Sequence, residues 1–147
     1  MNDRVITAEG AELAEKEELN RLTESTIGAA IEVHRALGPG LLESSYEVCL
    51  CHELGSRGIH FERQVPIAVQ YRGVRLECGY RADLVVEGCL LVELKAIETL
   101  LPIHDAQLLS YLKLGGWKVG LIINFNVQLL KQGIRRRVLN LREEKPS

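Results

Sequence analysis

Apolar positions along the chain keep one period, switch to another, and switch back. From about Leu22, the positions Ile27, Ala30, Ile31, His34 and Leu37 recur at three- and four-residue steps, which gathers them on one side of a helix. The "GPG" at 38–40 ends that helix, because proline and glycine continue it only at high cost. A second helix is expected over Leu42–Arg57, with Leu42, Tyr46, Cys49, Leu50 and Leu54 as its apolar stripe and Gly58 as its C-terminal stop. The period then drops to two. "QVPIAVQY" (64–71), "VRLECGYRADLVV" (74–86) and "CLLVELKAI" (89–97), joined at Arg72-Gly73 and around Glu87-Gly88, predict an antiparallel meander. Helical spacing returns at Pro102, a residue suited to a first turn, and runs through "IHDAQLLSYLKL" to Gly115-Gly116. "KVGLIINF" (118–125) is a continuous apolar run expected to form a buried strand. "GIRRRVL" (133–139) reads as a last strand, with Arg135 and Arg137 on the face opposite Arg136. This order places helices against a mixed sheet, an α/β arrangement.

Composition changes this picture little. The 147 residues, 46% hydrophobic and 26% charged, suit one globular domain. The expected organisation is an acidic leader over 1–21, frayed or helical, a single domain over 22–142 and a short tail over 143–147. No apolar run is long enough to cross a membrane, and the N-terminus has no signal-peptide core, so a cytoplasmic protein without a membrane partner is expected. Cys49, Cys51, Cys78 and Cys89 show no CxxC spacing and are expected to be reduced, mostly buried thiols.

Charge distribution is more informative than the net value of −2. Residues 1–24 carry seven acids against three bases, whereas Ala106–Arg142 carries seven bases and no acid. Such a basic third could meet a polyanion, although on charge alone a merely solvated basic face is the favoured explanation.

The segment "LLVELKAI" (90–97) raises the chemical question. Glu93 and Lys95 are two apart in an apolar strand, so they share one face while Leu94 takes the other. Placing both charges among Leu, Val and Ile is costly unless something uses them. Asp83 lies on the preceding strand, and its placement depends on parity. A two-residue turn at Glu87-Gly88 puts Asp83 opposite Val92, on the wrong face. An odd loop, made readily with Gly88 in a left-handed bulge, brings Asp83 to Glu93 and Lys95, and the odd loop is expected. Two carboxylates, the Leu94 carbonyl and waters suit a hard cation such as Mg²⁺, and Lys95 could hold an attacking water or stabilise developing charge. A cross-strand ion pair is the competing explanation. Three further polar residues border apolar stripes: Gln107 and Tyr111, four apart on one helical face, and Glu43, one turn before Tyr46. His34 sits on an apolar face and is expected to be a satisfied core histidine.

"EVHRALGPGLLESSYEVCLCHEL", "RADLVVEGCLLVELKA", "AQLLSYLKLGGWKVGLIINF" and "GIRRRV" together resemble the bacterial GxxExxY family, after the pattern Gly40, Glu43, Tyr46. That family looks like a compact branch of the PD-(D/E)XK nuclease superfamily. The resemblance implies a restriction-endonuclease-like core, with Asp83 and Glu93 as metal ligands and Lys95 as the catalytic lysine. It also implies a QxxxY pair at Gln107 and Tyr111, and Glu43 binding metal directly or through water. The expected protein is a Mg²⁺-dependent nuclease, with Mn²⁺ as a substitute, acting on DNA or RNA. The alternative is a catalytically silent nucleic-acid-binding or assembly module of the same fold. Assembly as a homodimer is left open.

Overall fold

The computed structural model describes residues 7–139. It contains α1 (Ala8–Leu37), α2 (Glu43–Ser56), β1 (Phe61–Tyr71), β2 (Val74–Val86), β3 (Leu90–Lys95), α3 (Pro102–Gly115), β4 (Val119–Asn124), a short 3-10 turn (Leu130–Gly133) and β5 (Ile134–Val138). The sheet order is β1-β2-β3-β4-β5. β1, β2 and β3 form the expected antiparallel meander, β4 joins β3 in parallel through the α3 crossover, and β5 returns antiparallel at the far edge. The result is the α/β fold with a mixed sheet flanked by helices that a restriction-endonuclease-like core requires.

Helices cover both sheet faces, which is why β3 and β4 read as near-continuous apolar runs. On one face Leu90, Val92 and Leu94 of β3 and Leu121 and Ile123 of β4 meet Ala29, Ala30 and Val33 of α1 and Tyr46, Leu50 and Leu54 of α2. On the other, Val85, Leu91 and Ile122 meet Leu108, Tyr111 and Leu112 of α3. Gly120 lets α3 approach β4 closely, since a Cβ there would stand 3.0 Å from Leu108 Cδ1 and 3.1 Å from Leu112 Cδ2.

Several expectations change. The helical pattern read from about Leu22 extends back through the leader to Ala8, capped by Thr7, whose Oγ1 accepts the Gly10 amide. The leader boundary at residue 21 therefore falls inside α1. Leu19 belongs to the core, and Glu15 takes Lys118 at 2.9 Å. Residues 1–6 and the 143–147 tail lie outside the described residues. Leu42, assigned to an apolar stripe, is the N-cap of α2 and is 75% exposed. Of the cysteines, expected to be mostly buried, only Cys51 is buried, while Cys49 and Cys89 are half-buried and Cys78 is exposed; all four are free thiols. Arg136 and Arg137 do face opposite ways: Arg136 donates to Asn20 of α1, and Arg137 pairs with Asp105 of α3 at 2.8 Å. With Lys118 on Glu15, three of the seven C-terminal bases are engaged inside the chain. His34 is satisfied, its Nε2 lying 2.8 Å from the Val127 carbonyl oxygen.

Tyr46 fixes the α1–α2 corner that carries Glu43. Its hydroxyl donates to the Gly38 carbonyl at 2.6 Å and accepts the Leu41 amide at 3.1 Å, while its ring stacks on Phe125 at 4.4 Å. Tyr46→Phe keeps the stack but strands both backbone groups, and is expected to cost about 1–3 kcal/mol. A thermal melt should show a Tm several degrees lower; an unchanged Tm would mean that water satisfies the corner equally well.

Candidate active site

The loop between β2 and β3 has three residues, Glu87, Gly88 and Cys89. Val86 pairs with Leu90 and Leu84 with Val92, and the same register sets Asp83 against Glu93. This is the odd count that convergence requires. Glu87 (φ 51°) and Gly88 (φ 70°) both take the left-handed backbone, and the Cys89 amide closes the turn on the Val86 carbonyl at 3.1 Å. Gly88 adopts this conformation without a Cβ clash; Glu87 does so as a non-glycine residue.

At Asp83 the hairpin stops being regular. Backbone pairing between β2 and β3 ends at Leu84–Val92. Beyond it the Leu94 amide donates to Asp83 Oδ2 at 2.8 Å, and the Asp83 amide donates to Glu93 Oε1 at 3.3 Å. Two carboxylates thus replace the ladder and hold the strands apart. Alternation breaks at the same place. Ala82 and Leu84 are two residues apart yet pack on opposite sides of the sheet, as do Phe61 and Val65 of β1. The β1–β2 ladder passes from Arg63–Leu84 to Val65–Ala82, with Gln64 and Asp83 between them unpaired in the ladder, and Gln64 has a φ of 51°. The expectation that plain alternation puts Asp83, Glu93 and Lys95 on one face therefore needs correction. The odd register brings Asp83 to Glu93, and a turnover of β1 and β2 sets the Asp83 carboxylate between the strands.

Glu93 is 8% exposed, and its pKa is pushed up to about 9, by burial first and then by the Asp83 charge, with Lys95 opposing. Lys95 is half-buried at the end of β3. Its carbonyl accepts the Phe125 amide at 2.9 Å. Asn124 braces the segment that follows, accepting the Ile97 amide and donating to the Ile97 carbonyl. Glu43 occupies the first turn of α2. Its pKa is raised by desolvation, then by Asp83, while Lys95 lowers it, so its carboxyl stands within electrostatic reach of both. Gln107 donates to the Tyr111 hydroxyl at 3.0 Å. Tyr111 is 7% exposed, and burial pushes its pKa up, with Glu93, Tyr80 and Asp83 adding to the rise. The structure therefore draws Asp83, Glu93, Lys95, Glu43 and Tyr111 toward one locus at the C-terminal end of β3, with Gln107 held through Tyr111. Leu94 lies buried between Glu93 and Lys95 and engages Asp83 by its amide.

Sequence reasoning missed three residues. Glu47, one turn beyond Glu43, is 9% exposed, and both of its oxygens are engaged: Arg63 donates to Oε2 and Gln64 to Oε1, each at 2.8 Å. Neighbours on a regular strand point to opposite faces, so Arg63 and Gln64 reach one carboxylate only because Gln64 is left-handed. The Gln64 amide also stands 3.5 Å from Asp83 Oδ1, linking Glu47 to the site. The available signal was Glu43-x-x-x-Glu47 on one helical face, opposite the polar opening "ERQ" of β1.

Among the described residues no group of three or more His, Cys, Asp or Glu side chains forms a ready cation cage. The donor set is two touching carboxylates with open lone pairs, one of them buried beside the other's charge. That set fits a hard divalent cation, which takes one or two protein carboxylates and keeps several waters.

The model of the PD-(D/E)XK nuclease superfamily matches residues 20–137, and the chain belongs to that superfamily. No curated protein and no solved structure matches the chain.

Because the Glu93 value is raised from 4.5 to about 9, neutral Glu93 contributes stability that is complete below pH 4.5 and is lost as pH rises through 9. In metal-free buffer, Glu93→Gln should melt close to the wild type at pH 5 and several degrees higher at pH 9. A gap that does not widen with pH would contradict the buried, charge-crowded carboxyl.

Proposed function

We propose that the chain is a divalent-metal-dependent nuclease of the GxxExxY kind, hydrolysing phosphodiester bonds of nucleic acid. The observation that carries this reading is the Asp83–Glu93 contact, made where β2 and β3 part and within electrostatic reach of Lys95. Asp83, Glu93 and the Leu94 carbonyl would hold Mg²⁺ or Mn²⁺, with Glu43 assisting directly or through water. The cation, when bound, would neutralise the paired carboxylates, polarise a phosphoryl oxygen and acidify water. Lys95 would position the attacking water or meet charge developing on the phosphate. The Gln107–Tyr111 pair would orient Lys95 or a phosphate oxygen from α3. Leu94 and the Gln64 bridge would keep the Asp83 carboxylate from rotating away, the kind of support that tunes a cation's ligands from behind.

Incubating the protein with single- and double-stranded DNA and RNA tests the proposal. Cleavage should appear with Mn²⁺ or Mg²⁺, vanish in EDTA, and fall by roughly a hundredfold or more in Lys95→Ala, the scale of losing one transition-state charge contact. Binding without cleavage under every condition would instead establish the catalytically silent module.

A further inference from the structure

β1 and β2 are longer than the sheet that contains them. β3 pairs with β2 only through Leu84–Val86, so among the described residues the part of β2 before Asp83 has β1 as its sole strand neighbour. Every residue from Gln70 to Arg81 is exposed. The tip is a two-residue turn, Arg72-Gly73, with φ of 49° and 76°, a mirror-type turn that suits the twist of a ribbon. At about 3.3 Å per residue, that tip stands roughly 25 Å from Asp83. Between Ile67–Tyr80 and Val69–Leu76 the register shifts, with Gly79 at φ 81°, so three residues of β2 face one of β1 and the ribbon bends.

The ribbon is basic in a chain of net charge −2. Arg72, Arg75 and Arg81 stand against one acid, Glu77. Glu77 touches Arg75 at 3.4 Å with both side chains about two-thirds exposed, a contact of little weight. By contrast Lys118 and Arg137 are engaged by Glu15 and Asp105, and β5 lies at the sheet edge opposite β1. Glu43 and Asp83 repel a polyanion, so a nucleic-acid substrate needs cations placed beside them. Exposed Tyr71, Val74 and Leu76 lie among these arginines, an apolar surface unusual for a merely solvated hairpin.

We propose that this ribbon grips B-form duplex DNA, lying in the major groove with Arg72, Arg75 and Arg81 toward the phosphates, and so leads one backbone to the site at its base. A major groove about 12 Å wide admits a two-stranded ribbon, whereas the deep, narrow groove of A-form RNA does not. The proposal rests on the nuclease reading only in taking nucleic acid as the partner.

The test measures fluorescence anisotropy of 20-bp duplex DNA, duplex RNA and single-stranded DNA against the full chain in EDTA, where binding is read without cleavage, over a series of salt concentrations. Wild type should prefer duplex DNA. Arg72→Ala/Arg75→Ala, at exposed positions that leave the melt unchanged, should weaken binding to it and reduce the slope of log affinity against log salt by about 2, one per lost phosphate contact. Arg72→Glu/Arg75→Glu should weaken it at least tenfold further. Unchanged affinity and slope, equal binding of duplex RNA, or no duplex binding by wild type overturns the ribbon proposal. A ribbon variant that alters sedimentation but not DNA binding overturns it in favour of self-association. Cleavage with Mn²⁺, assayed separately, decides the nuclease reading. Ribbon-dependent binding without cleavage sinks that reading and keeps this one.

Discussion

The contact on which the rest of this molecule depends is the bond from the Leu94 amide to the Asp83 carboxylate. It occupies a place that a β2 carbonyl would fill in a regular hairpin, and so it ends the β2–β3 ladder one residue before it would otherwise continue. The strands part, Glu93 comes to rest beside Asp83, and Lys95 is left half-buried at the end of β3, paired with Asn124 of β4. The three-residue loop at Glu87–Cys89 sets the register that makes the bond available. The left-handed Gln64 permits both strands to turn over where it forms.

This arrangement works against the fold's own stability. Glu93 carries a buried carboxyl against another acid, a combination folded proteins seldom keep without a use for it. The neighbouring acid is treated differently. Glu47 is equally buried, yet Arg63 and Gln64 engage both its oxygens, so its charge is answered within the chain. One carboxylate is answered by a guanidinium, whereas the two at the parting of β2 and β3 accept only neutral amide donors. That contrast supports the proposed cation site over a structural ion pair. It argues against the plain cross-strand ion pair as the explanation of Glu93 and Lys95.

Much of the fold was legible because both faces of the sheet are covered. β3 and β4 read as apolar runs, helical and strand periods alternate cleanly, and Gly or Pro marks most of the corners. Glu93 and Lys95 stood out for the same reason, as charges in a strand that is otherwise wholly apolar. The rest was hidden by local physics. Leu19 is one apolar residue in a strongly acidic stretch, and only the docking of α1 against the sheet makes it core. Leu42 looked apolar by spacing but falls at a helix cap, where side chains leave the stripe. The roles of Gln64 and Glu47 depend on a glutamine taking a positive φ inside a strand. Sequence pattern offers no sign of this, since that backbone is ordinarily glycine's or asparagine's. The break in alternation at Asp83 was invisible for the same reason, although the register across it was correctly anticipated.

The most direct test of the account is calorimetric titration of Mn²⁺ into the protein at pH 7.5, repeated in buffers of different ionisation enthalpy to count protons. A cation entering between Asp83 and Glu93 must displace the proton that burial and Asp83 hold on Glu93. Wild type should therefore bind with release of about one proton per ion. Glu93→Gln should bind far more weakly and release none. Equal Mn²⁺ affinity in wild type and Glu93→Gln, or tight binding with no proton released, would contradict the claim that these two carboxylates form the metal site.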